Sequence, residues 1–174
     1  MISIRQNVFE TNSSSTHSMA IPHTAKSIPK YLYFDLGEYG WDTESPSPES
    51  YLWTAICYNK REDYLEYKKK LSNLCDKYRI GKDFSVPEYD SSGILKYGYI
   101  DHGEYLLDFI DMLFENEELL EKFLFGGLVY TGNDNNEDDM MYSDREHEYI
   151  NNGKKNPYYD ENLSKNYDWY YKGN

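Results

Sequence analysis

The chain has 174 residues, with 31 acidic and 18 basic side chains and a formal net charge of −13. That length suits one domain with its own core, with or without a tail. Two cysteines exclude a disulfide framework, no apolar run reaches membrane-spanning length, and residues 1–7 lack the apolar stretch of a signal peptide, so the expected setting is cytoplasmic. With 20 Tyr, 7 Phe and 3 Trp, the core is expected to be aromatic, and many hydroxyls must find a partner or stay at the surface.

In chain order, residues 2–9 and 18–21 read as short strands around the polar turn Thr11-Asn12-Ser13-Ser14-Ser15-Thr16. Residues 31–36 predict a third strand, ended by Gly37 and Gly40. Ser47 followed by Pro48 predicts a capped helix that turns Tyr51, Leu52, Ala55 and Ile56 inward and stops near Asn59. A second helix over 61–79 places Tyr64, Tyr67, Leu71, Leu74, Cys75 and Tyr78 on one stripe, with Gly81 as its C-terminal cap. Cys57 and Cys75 both fall in these apolar patterns and read as buried free thiols. Residues 94–100 predict a strand. Asp101-His102-Gly103 then opens an amphipathic helix burying Leu106, Phe109, Ile110 and Leu113. Asn116 breaks it, and a short helix from Glu117 to Phe125 precedes Gly126-Gly127 and a strand over 128–130. The expected fold is α+β: a small mixed sheet packed with about four helices over residues 1–135, followed by a polar, acidic tail over 136–174.

The charge is segregated. From Asp101 to Glu148 there are fifteen acidic residues against only Lys122 and Arg145, so this stretch holds the whole excess. Residues 60–82 instead carry eight basic groups against four acidic ones, with Lys69 and Lys70 on the polar side of the second helix. Glu104, Asp108, Asp111, Glu115 and Glu118 follow three- and four-residue steps and share one face if the helix is continuous. Their axial spacing of about 5–6 Å then resembles that of phosphates along a strand. The bland reading is the solvated side of an amphipathic helix; the sharper one is a surface that imitates nucleic acid and attracts basic proteins.

Phe9-Glu10-Thr11-Asn12-Ser13-Ser14-Ser15-Thr16-His17-Ser18 gathers many hydrogen-bonding groups and one imidazole. A polar turn accounts for most of this. The alternative is a phosphate site, with His17 as acid or base, Arg5 as the phosphate clamp and Asn12, Ser13, Ser14 and Ser15 orienting the substrate. His102 and Asp134, the latter in Thr131-Gly132-Asn133-Asp134-Asn135, complete a metal-free phosphodiester-cleaving site if they converge with His17. Glu137-Asp138-Asp139 and Glu146-His147-Glu148 match no metal spacing, and Walker, Rossmann and nucleophile-elbow patterns are absent from the sequence, so no cofactor is expected.

The Phe9–Ser18 segment resembles a motif near the N-terminus of small proteins from phages and mobile elements of Gram-positive bacteria. Gly37-Glu38-Tyr39-Gly40-Trp41, Tyr51-Leu52-Trp53-Thr54-Ala55 and the run from Phe123 to Asn135 are also similar to pieces of those proteins, so the resemblance spans about residues 5–135. Some of them look related at this motif to anti-CRISPR proteins that disable Cas9. The resemblance implies a counter-defence protein acting in the bacterial host on a CRISPR effector or another nucleic-acid-binding defence protein, and on its guide RNA if the polar motif is catalytic. Two mechanisms stay open: a metal-independent ribonuclease centred on His17 with Lys69 and Lys70 guiding RNA, and a non-catalytic acidic mimic. A phage accessory protein with no nuclease partner is the third reading.

Overall fold

The structure, a computed structural model, describes residues 15–25, 27–40, 45–101, 103–133 and 167–173. The organising element is helix α1 (Pro48–Asn59). Ser47, in extended conformation, caps it by accepting the Ser50 amide at 3.4 Å, and Pro48 takes the first turn, where no backbone donor is needed. Every residue from Tyr51 to Cys57 is buried. A helix apolar on all sides belongs at the centre of a fold, and the other elements pack around it.

Three small sheets surround α1, giving the expected α+β architecture. Strand β1 (Ser15–Pro22) lies between β6 (Leu128–Asn133) and β7 (Tyr167–Gly173), antiparallel to both. Ser15 and Thr16, read as part of a turn, therefore belong to the strand, and β7 belongs to a stretch read as tail. The expected strand at 2–9 lies outside the described residues. Strand β2 (Tyr31–Phe34) pairs in parallel with β4 (Gly81–Phe84), and β3 (Glu38–Tyr39) pairs in parallel with β5 (Tyr99–Ile100). The strand expected at 94–100 is reduced to its last two residues. Gly98 has φ +91°, outside strand geometry, and a Cβ there would lie 3.1 Å from the Gly37 carbonyl, so the chain turns there on a glycine.

Helix α2 (Tyr64–Lys77) buries Leu71, Leu74 and Cys75 and leaves Tyr64, Tyr67 and Tyr78 half-buried, matching the expected stripe. Its stop differs from expectation. Arg79, at φ 58°, takes the left-handed position, with Ile80 N donating to Cys75 O at 2.8 Å and Arg79 N to Asp76 O at 3.1 Å. These are the two bonds of a Schellman cap, and they leave Gly81 free to start β4. Its missing side chain serves another purpose there, because a Cβ would come within 2.3 Å of the Tyr31 ring.

A 3₁₀ turn, Gly103–Leu106, leads into α3 (Leu107–Glu115), and Leu106, Phe109, Ile110 and Leu113 are all buried. Asn116 is extended and accepts the Glu118 and Leu119 amides through its side chain, which ends α3 and caps α4 (Glu117–Gly126). The core is aromatic, as expected. Phe34 stacks on Phe84 with centroids 4.3 Å apart, while Trp53 meets Phe84 and Phe109 meets Phe123 edge-on at 5.0 and 5.2 Å. Its polar tips are satisfied: Trp53 Nε1 donates to Ser85 O at 2.9 Å, and the Tyr89 hydroxyl to Cys57 O at 2.8 Å. Among the described residues, no helix is long and apolar enough to cross a membrane.

Candidate functional site

Alternation along β1 puts His17, Met19 and Ile21 on one face, turned toward the interior. His17 is only 3 % exposed. Its Nε2 lies 2.6 Å from the Asp101 carbonyl, which can only accept, so the proton of the neutral ring belongs on Nε2. Nδ1 then accepts from the Tyr51 hydroxyl at 3.0 Å, on the first buried turn of α1. Ser15 Oγ lies 3.4 Å from Nε2 and donates to the Asp101 carboxylate at 2.9 Å. One imidazole thus joins β1, α1 and the segment after β5. Both ring nitrogens are engaged, so taking up a proton from a substrate would require the Tyr51 bond to open, and delivering one would require the Asp101 bond to open.

Of the residues expected to form a phosphate site, the structure brings together His17 and Ser15. Arg5, Asn12, Ser13, Ser14, His102 and Asp134 lie outside the described residues, as do the 137–139 and 146–148 clusters. The partners that define the His17 environment, Tyr51 and Asp101, were not expected as such. A tyrosine on an enclosed helix face needs a hydroxyl partner, and an imidazole two and four residues from buried Met19 and Ile21 needs polar company. Those two requirements were the signal.

The acidic series does not form one face. Continuity fails at Asn116, because its side chain competes with the helix for the amides that follow, so Glu118 stands on α4 and Glu104 in the preceding 3₁₀ turn. On α3, Asp108, Asp111 and Glu115 keep the three- and four-residue steps. Asp111 is paired with Lys60 Nζ at 2.7 Å, and Glu118 with Lys122 at 2.7 Å. Asp108 and Glu115 are exposed and have no ion pair among the described residues. On α2, Lys69 is exposed, whereas Lys70 pairs with Glu66 at 2.8 Å and reaches over the Tyr67 and Phe114 rings. The Glu66 carboxylate raises the Lys70 pKa, and Lys70 in turn lowers that of Glu66. Lys70 thus forms an exposed pair on its own helix.

A groove of about 420 Å³ runs between α2 and the α3–α4 junction, floored by Leu74, Phe114 and Leu120 and edged by Lys70, Lys77 and Glu117. Lys77 holds both Glu117 and Glu121, at 2.6 and 2.7 Å, which ties α2 to α4. Those carboxylates raise its pKa, and Lys77 lowers that of Glu117. Among the described residues, no group of three or more His, Cys, Asp or Glu is placed to hold a metal ion.

No protein-family model matches the chain, and no curated protein or solved structure matches it.

Proposed function

We propose that the protein is a counter-defence protein of the anti-CRISPR type, which inactivates a nucleic-acid-guided nuclease such as Cas9 by occupying a basic channel rather than by cleaving RNA. The observation that carries this reading is the segregated charge: residues 101–148 hold the entire excess of acid, and α3 exposes Asp108 and Glu115 without counter-ions among the described residues. A field of one sign on one part of a molecule attracts a surface built to bind phosphates. The polar motif at 9–18 and its resemblance to phage proteins support the setting.

The catalytic route is less well supported. It asks His17, 3 % exposed and bonded at both nitrogens, to meet a phosphodiester. The accessory-protein reading differs by having no salt-sensitive association with a basic partner.

The test is a Cas9 DNA-cleavage assay with added protein, in which the guide RNA is also run on a denaturing gel. Blocked DNA cleavage with intact guide RNA, relieved as salt rises, is the expected result. Fragmented guide RNA would restore the ribonuclease reading, and active Cas9 at every salt concentration would remove the nuclease partner altogether.

A further inference from the structure

The two faces of the β2–β4 pair differ sharply. Leu32 and Phe34 turn inward and are buried, whereas Tyr31 and Tyr33 on the opposite face are 40 % and 55 % exposed. The register sets Tyr31 across from Gly81 and Tyr33 across from Asp83. The two rings lie 4.6 Å apart with a 33° tilt. Tyr31 is fixed: its ring lies close over Gly81, and its hydroxyl donates to Asp83 Oδ2 at 2.7 Å. Asp35, two residues on from Tyr33, accepts from Ser85 Oγ through Oδ1 at 3.0 Å. Each carboxylate therefore holds one neighbour with one oxygen and keeps acceptor capacity on the other.

Neither Asp35 nor Asp83 has an ion pair among the described residues. Lys82, beside Asp83 in sequence, has the opposite parity on β4 and pairs with Asp76. A third carboxyl belongs to the same neighbourhood: Glu49 has its pKa raised chiefly by burial and further by the charge of Asp35. Adjacent exposed aromatic rings beside carboxylates that lack a counter-ion among the described residues are complementary to a planar cation. The Asp35 and Asp83 carboxylates beside the rings repel a phosphate backbone, which disfavours a base-stacking platform.

We propose that the outer face of the β2–β4 pair docks an arginine-rich segment of the protein's partner, with a guanidinium stacked on Tyr33 and hydrogen-bonded to Asp83 or Asp35. Arginine fits better than lysine because its flat fork can stack and bond a carboxylate together. The proposal rests on the reading above that the partner is basic, and it identifies a second contact surface besides α3.

The test uses the full chain and a fluorescein-labelled nona-arginine peptide, with binding read by fluorescence anisotropy at increasing NaCl. Tyr33 is exposed, so Tyr33→Ala leaves the fold intact, and circular dichroism checks this. Tyr33→Ala and Asp83→Asn should each weaken binding by about tenfold, while Tyr33→Phe, which keeps the ring, stays within about twofold. Glu62→Gln, a charge-matched change at an exposed site elsewhere, should also stay within about twofold. Peptide binding that Tyr33→Ala and Asp83→Asn leave unchanged would overturn this face and spare the basic-partner reading. Absence of salt-sensitive peptide binding by the unmodified protein would overturn both.

Discussion

Replacing His17 with alanine separates a structural imidazole from a catalytic one. The substitution leaves the Tyr51 hydroxyl, fully buried, and the Asp101 carbonyl without the imidazole that bonds them now. Each lost hydrogen bond costs about 0.5–1.5 kcal/mol, and the space left by the buried ring adds about 2 kcal/mol, so the loss should be roughly 3–5 kcal/mol. Domains are stable by about 5–15 kcal/mol, so the variant remains folded near room temperature but loses much of its margin. At about 2–4 °C per kcal/mol for a chain of this size, its melting temperature should fall by roughly 6–20 °C. Urea unfolding of His17→Ala, Tyr51→Phe and the double variant gives the magnitude and its cause. Tyr51→Phe deletes the same hydrogen bond that His17→Ala breaks, so the double variant should be more stable than additivity predicts, by about 1 kcal/mol. A His17→Ala loss below about 1 kcal/mol, or strict additivity, would refute the bridging role. If the folded variant also lost only an RNA-cleaving activity, the imidazole would be catalytic after all.

Three further outcomes follow from the described geometry. Ser18 Oγ is buried without a hydrogen-bond partner among the described residues, so Ser18→Ala should raise stability by about 1 kcal/mol, read as a higher urea midpoint with unchanged slope; a lower midpoint contradicts it. Burial pushes the Cys57 thiol up to about 12 and also raises that of Cys75, so neither should react with a thiol reagent at pH 8 until the protein is unfolded, and rapid labelling of the folded chain would count against this. Asp168 on β7 is held by Lys122 and then by His23, and these bonds lower its pKa from the ordinary 3.8. A depressed carboxylate stabilises above its unfolded pKa and loses that contribution as pH falls through the folded value, so β7 should loosen below about pH 4. Hydrogen exchange at the β7 amides should show this onset, and Asp168→Asn should remove it; the same acid onset in both proteins would exclude Asp168 as the cause.

Local chemistry was legible in the sequence wherever near neighbours decide the outcome. Ser47 and Pro48 define the start of α1, and the three- and four-residue spacing of Leu71, Leu74 and Cys75, and of Phe109, Ile110 and Leu113, marks the buried helix faces. These signals act within one or two turns and need no partner from elsewhere. The absence of a Cβ at Gly81 could be read as a helix stop just as well as a site for the Tyr31 ring, because only the parallel pairing of β4 with β2 brings that ring there. His17 shows the same limit. Its residue type announces a titratable group, but Tyr51 and Asp101, which occupy its nitrogens, lie 34 and 84 residues away. The acidic run shows it in reverse, since a side-chain cap at Asn116 breaks a spacing that looked continuous. Composition and short-range period suffice for the α+β class, the aromatic core, the existence of α1 and the segregation of charge, whereas the burial of Trp53 and Thr54 that makes α1 central comes from its neighbours in the fold. Tertiary structure alone decided which strands pair, that the imidazole is a buried bridge, and which carboxylates keep a counter-ion, because these depend on contacts between segments whose sequence separation carries no local signal.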